Sequence, residues 1–129
     1  MSTNHPSPAR WWHWFDPRGR KMGTFAFILN RITGLGLTLY LVMHLFMLGK
    51  LAEGPASYDG FINFAKNPFI KFGEMFVIAA VAIHGLNGLR IALTSFGIAV
   101  PHQKKLFVVL MILAGISIIF FGWKMFLGD

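Results

Sequence analysis

His84 sits in the stretch AIHGLNGLRIAL, residues 82–93, with Gly85 and Gly88 just after it and Arg90 six residues on. An ionisable ring in such apolar company is costly in lipid, and intramembrane ionisable residues are functional by default. Neutral imidazole is a good axial ligand for haem iron, and ligation would satisfy a nitrogen that lipid cannot. On the same helical face Ala80 stands at i−4 and Gly88 at i+4. Small residues on both sides leave a flat groove through which a planar ring can approach the helix. Asn87, at i+3, adds a polar contact. The competing reading is a helix–helix hydrogen bond, with Gly85 and Gly88 as close-packing residues.

His44 is the second candidate ligand. Tyr40 at i−4 and Leu48 at i+4 make its groove less open, and a bundle-facing hydrogen bond competes with ligation. His5, His13 and His102 lie in a tail or loop and read as solvated. Arg31 stands beside Asn30 and Thr33. It is either a snorkelling interfacial cation or a donor to a quinone carbonyl or a haem propionate, since guanidinium is a permanent, multi-donor cation. Arg90 carries the same ambiguity, with a haem propionate as its functional partner. Thirteen residues put Arg31 and His44 roughly 140° apart on a helical wheel, so they address different neighbours. Glu74 reads as interfacial. None of these residues does bond chemistry, and no catalytic side chain is assigned.

The elements that must position them follow from composition. The chain has 129 residues, 55% of them hydrophobic and only 13% charged, where soluble domains carry about a quarter charged residues. Three windows of eighteen residues, 32–49, 72–89 and 106–123, hold almost no ionisable group between basic flanks. About 20 apolar residues cross a bilayer core of about 30 Å. The windows with their flanks predict three transmembrane helices near 25–49, 69–95 and 105–127, in an all-α membrane protein. Residues 22–129 form this unit. Residues 1–21 read as an interfacial tail rather than a leader, because Trp11, Trp12 and Trp14 beside Arg10, Arg18, Arg20 and Lys21 suit the headgroup layer. The connection LAEGPASYDGFINFAKNP, 51–68, is punctuated by Gly54, Pro55, Gly60 and Pro68. Its apolar face at helical spacing predicts a short interfacial helix. In the third span Gly115 and Ser117 suggest packing alone.

The formal charge of +7 is a topology signal and does not point to nucleic acid. Arg10, Arg18, Arg20, Lys21, Arg31, Arg90, Lys104 and Lys105 fall on one side. Lys50, Lys66, Lys71 and Lys124 fall on the other. That bias predicts a cytoplasmic N-terminus and an outer C-terminus. The absence of cysteine excludes disulfides, thioether-linked haem and cysteine-bound iron–sulfur clusters within this chain.

Arg31, His44 and Lys50 stand 13 and 6 residues apart, and so do Lys71, His84 and Arg90. With Arg31 and Arg90 as markers of one membrane face, the two histidines differ in depth by roughly 10 Å. They cannot share one metal ion. As ligands they would serve two cofactors, each completed by another chain.

The segments FILNRITGLGLTLYLVMHLF and IHGLNGLRIAL together resemble the cytochrome b membrane anchor of succinate dehydrogenase (succinate:quinone oxidoreductase). The family pattern is an arginine, two residues and a glycine in the first helix, here Arg31 and Gly34. In the second helix it is a histidine, three residues, a glycine, an aliphatic residue and an arginine, here His84, Gly88, Leu89 and Arg90. The resemblance implies that His84 is an axial ligand of haem b, with Gly88 and Arg90 serving haem packing or propionate. Arg31, with Asn30 and Phe27, lines the quinone site. His44 implies the two-haem type, its haem shared with a partner subunit like that of His84, and menaquinone as the quinone. The implied partners are a second membrane anchor, an iron–sulfur subunit and a flavoprotein subunit, in the cytoplasmic membrane of a bacterium or archaeon. This sequence departs from the family at three positions. Phe27 replaces a common serine, Asn30 a common histidine, and Ser95 a common aspartate.

The expected function is electron transfer from succinate oxidation in a partner flavoprotein to the quinone pool. A fumarate reductase anchor working in reverse is the nearest alternative. A small transporter subunit would place a carboxylate near mid-membrane, and this chain has none there. A cofactor-free anchor remains the third reading.

Overall fold

The computed structural model describes residues 10–16, 18–19 and 21–128. The expectations for His5 and Arg20 lie outside them. Four α-helices follow a 3-10 turn at Trp11–Trp14: α1 Met22–Ala52, α2 Pro55–Ala65, α3 Pro68–Ser95 and α4 Gln103–Leu127. A second 3-10 turn, Val100–His102, leads into α4. No strand occurs among the described residues. The helices α1, α3 and α4 are each long and apolar enough to cross a membrane. Each predicted span is present, and none begins or ends more than a turn from its expected bounds.

Local chemistry sets the boundaries. α1 stops at Glu53, whose carboxylate accepts from Lys50 Nζ at 3.0 Å and from the Ser57 hydroxyl at 2.9 Å. The Lys50 hydrogen bond, then that of Ser57, holds this exposed carboxyl below its ordinary range. Gly54 turns the chain at φ +116°, a conformation that favours glycine. Pro55 and Pro68 then occupy first-turn positions, where the missing N–H is no loss. Asn67 caps α3 by accepting from Phe69 N at 2.9 Å. Gly97, at φ +78°, ends it, with Ile98 N reaching back to Leu93 O at 2.9 Å.

Contacts along the three spans run antiparallel, with α3 between α1 and α4. Lys71 Nζ donates to Met125 O at 3.3 Å, which places a cation on the C-terminal carbonyls of α4. Further along, Gly122 makes room for Met75. A Cβ at Gly122 would stand 2.9 Å from Met75 Cε. At the other end the Arg90 guanidinium lies over the Phe107 ring, 5.7 Å from its centroid.

The buried residues are few. Ala26, Ile28, Phe107, Leu110 and Ala114 are the apolar ones, and Thr33 and Asn87 the polar ones. Large apolar side chains such as Leu39, Phe76 and Ile119 are exposed. Apolar surface gains little by hiding from lipid, so close packing and interhelical hydrogen bonds hold such helices together. The helix expected in the first connection appears as α2, in contact with α1.

Candidate functional site

The polar residues converge on a seam between α1 and α3. His84 Nδ1 lies 3.1 Å from the backbone carbonyl of Asn30 and 3.2 Å from Thr33 Oγ1. A carbonyl only accepts, so Nδ1 carries the proton. The Thr33 hydroxyl directs its own hydrogen to Leu29 O at 2.8 Å or Asn30 O at 3.1 Å, which leaves its oxygen to accept. In the neutral ring that arrangement leaves the lone pair on Nε2. Among the described residues the only buried unpartnered side-chain N or O atom is Asn30 Oδ1, so Nε2 opens to the surface of the chain. A metal-ligating histidine has the same arrangement, with its second N–H spent on a carbonyl.

One turn along, Asn87 is completely buried. Its Nδ2 donates to Ala26 O at 3.1 Å, and its Oδ1 accepts from Arg90 Nε at 3.0 Å. The sequence suggested that Asn87 adds a polar contact beside His84. Both of its polar ends are used within the chain, because the side chain faces α1.

Gly34 explains itself here. A Cβ on it would lie 3.1 Å from His84 Cε1 and 3.6 Å from Nδ1. The first-helix glycine is therefore the surface on which the imidazole rests. Gly34→Val is expected to destabilise the α1–α3 contact by about 1–3 kcal/mol, as overpacking does, read as a lower thermal midpoint of the purified complex. At Gly88 a Cβ would meet nothing within 4 Å, so the groove beside His84 is open in this chain.

His44 lies elsewhere. It is exposed on α1, stacked on Tyr40 with ring centroids 5.3 Å apart, and Tyr40 Oη is 3.3 Å from its Nδ1. The two residues line a cavity of about 330 Å³ enclosed by α1, α2 and α3, together with Met47, Tyr58, Phe61 and Glu74. Glu74 thus faces this cavity. His84 reaches α1 at Asn30 and Thr33 and rests against Gly34, so His44 stands ten to fourteen residues further along α1, or about 15–21 Å. The depth difference exceeds the 10 Å expected from sequence. His84 meets α1 at Asn30–Thr33 and Asn87 meets it at Ala26, so Arg90 lies beyond Arg31 and the two arginines do not mark one level.

Arg31 is exposed, its guanidinium 4.9 Å from the centroid of Phe27. It borders an open hollow of about 570 Å³ with Trp11, Phe15, Gly34, Leu35 and Thr38. Gly34 therefore touches both the hollow and the imidazole. Thr33, Trp11 and Phe15 were missed as site residues. The Arg-x-x-Gly spacing was the available signal for a shared neighbourhood, since residues three apart lie on one helical face. His102 is exposed in the turn before α4, and the side chain of His13 lies outside the described residues.

Three membrane-length helices, an imidazole pinned by a backbone carbonyl and an arginine in the first span define a helical membrane protein with a polar seam between its first two spans. The chain belongs to the succinate dehydrogenase/fumarate reductase transmembrane subunit family, whose model matches residues 9–124. It is 28% identical over 112 residues to the succinate dehydrogenase 2 membrane subunit SdhC of Mycobacterium tuberculosis, covering 81% of this chain and 82% of that one. It is 24% identical over 98 residues to the succinate dehydrogenase hydrophobic membrane anchor subunit of Halobacterium salinarum, 75% of each chain. A fumarate reductase subunit from Yersinia pestis is 24% identical over 95 residues, 73% of this chain and 68% of that one.

Proposed function

We propose that the chain is the cytochrome b membrane anchor of a succinate dehydrogenase, passing electrons from succinate oxidation in a partner flavoprotein to quinone. One observation carries the haem reading: His84 spends Nδ1–H on Asn30 O and keeps Nε2 for a metal. Among the described residues no group of three or more His, Cys, Asp or Glu gathers as a metal cage. One imidazole from this chain and one ligand from another is the arrangement that suits haem b. When bound, haem supplies a one-electron carrier. His84 would ligate it, and Asn30 O and Thr33 would orient that ring and raise its basicity. The open surface at Gly88 leaves room for a flat ring, and Arg90 is the cation within reach of an acidic substituent. His44 would hold a second haem at the level of α2, with Tyr40 as the orienting partner.

Arg31 would donate to a quinone carbonyl in the hollow edged by Trp11 and Phe15, with Phe27 and Asn30 beside it. Menaquinone is the quinone that the two-haem type implies. The exposed apolar faces of the spans suit a second membrane anchor and lipid. The basic bias at the N-terminal end of α1 supports a cytoplasmic face there, where an iron–sulfur subunit and a flavoprotein would dock. Succinate dehydrogenase and fumarate reductase relatives both occur, so the reverse direction, quinol to fumarate, is the second reading. The ratio of succinate–quinone to quinol–fumarate activity in the purified complex decides between them.

A reduced-minus-oxidised absorption spectrum of that complex tests the cofactor. Without a b-type band the reading fails. His44→Ala is expected to remove about half of the haem per complex, the loss of one of two axial sites. Unchanged haem content in that variant would rule out the two-haem arrangement.

A further inference from the structure

Asn87 is the largest fully buried side chain in the protein's described part, and the haem reading gives it no part. Its amide is fully used. It holds the Ala26 carbonyl of α1 with its nitrogen and the Arg90 guanidinium of its own helix with its oxygen. Arg90 in turn lies over Phe107 of α4, which is itself buried. One amide thus ties together all three spans. Ala26 is 1% exposed, and its small side chain lets α3 come close enough for the bond.

The second tie between α1 and α3 is His84 on Asn30 O. The acceptors Ala26 and Asn30 are one turn apart on α1. The donors Asn87 and His84 are one turn apart on α3, in reverse order. Sliding α3 by a single residue moves it about 1.5 Å along α1 and breaks both bonds. Two helices packed mainly through small apolar contacts have little else to fix their register.

We propose that Asn87 is a positioning residue. It sets the register that keeps His84 Nδ1 on the Asn30 carbonyl, and through that bond it sets the basicity of Nε2. The basicity half rests on the haem reading; the register half does not. Loss of Asn87 should weaken the Nδ1–H···O bond and leave a less basic ligand. A less electron-rich axial ligand stabilises the reduced iron, so the midpoint potential should rise.

The natural sequence has no cysteine, so engineered pairs report cleanly. In membranes holding the assembled complex, Gly34→Cys with His84→Cys should join efficiently through a short thiol cross-linker. Adding Asn87→Leu, which keeps the branched shape and removes both hydrogen bonds, should lower that yield severalfold. In the histidine-bearing complex, Asn87→Leu should raise the midpoint potential of the His84-dependent haem. Asn87→Asp keeps an acceptor for Arg90 and loses the donor to Ala26. It should lower the cross-link yield as far as Asn87→Leu does, because the Ala26 bond is lost in both, and it serves if the leucine variant does not accumulate. An unchanged cross-link yield in both variants overturns the proposal whatever the spectrum shows. A lowered yield with an unchanged potential overturns the basicity half. If the parent complex shows no His84-dependent haem, the haem reading fails, and the cross-link yield alone still judges the register.

Discussion

His84→Ala is expected to remove one b-type haem from the complex and to cut succinate–quinone activity by at least about tenfold, while the chain still accumulates in membranes. The change removes two things. Nε2 is the metal ligand of the proposal, and alanine offers iron no donor in its place. Nδ1–H is the hydrogen bond to Asn30 O, and a bond of that kind between membrane helices contributes about 0.6–2 kcal/mol. The second loss weakens the α1–α3 contact without dissolving it, since Asn87 still holds Ala26 O. His84→Gln separates the two. Its amide can donate toward Asn30 O but gives iron no imidazole. It should restore the thermal midpoint of the complex and leave the haem missing. Haem content equal to the parent in His84→Ala would remove the basis of the proposed function. Oxidation of succinate by an artificial acceptor should stay unchanged, because that step belongs to the partner flavoprotein.

The spans were legible because lipid enforces a simple rule. Ionisable residues cannot be scattered through a membrane helix, so Arg31, Lys50, Lys71, Arg90, Lys105 and Lys124 bracket the apolar windows. The helix α2 was legible for a different reason: Gly54 and Pro55 open it and Pro68 opens the helix after it. Neither signal depends on what lies next to what.

Register does depend on it, and there sequence spacing went astray. Equal spacings around His44 and His84 suggested that Arg31 and Arg90 share a level. Long cationic side chains reach water from a range of depths, so their positions do not date a helix to better than a turn or two. The Ala26–Asn87 bond is what fixes the offset, and no periodicity predicts that pairing. The same limit hid the purpose of Gly34. In the sequence it is a glycine three residues after an arginine. Only the neighbouring helix shows that a Cβ there would press on His84 Cε1 at 3.1 Å. Asn87 was seen as polar and near His84, but which side of α3 faces α1 decides whether it serves a cofactor or the fold.

Arg31→Gln is the other change with a large expected effect. A charge-assisted hydrogen bond to a quinone carbonyl is worth about 1.5–3 kcal/mol. Its loss should lower kcat/KM for quinone by about 10- to 150-fold, with haem content unchanged because Arg31 is not an axial ligand. Arg31→Lys should recover only part of the activity, since an ammonium keeps the charge but not the fork of donors. The competing role for Arg31 is a haem propionate, and the two roles have different signatures. A quinone donor changes the kinetics of quinone and leaves the midpoint potential in place. A propionate partner changes the potential, because removing a nearby cation destabilises the electron-rich form. The first outcome is expected because Arg31 lines the open hollow with Trp11 and Phe15. A potential shift with normal quinone kinetics would move Arg31 from the quinone site to the haem, and would leave the hollow without its principal donor.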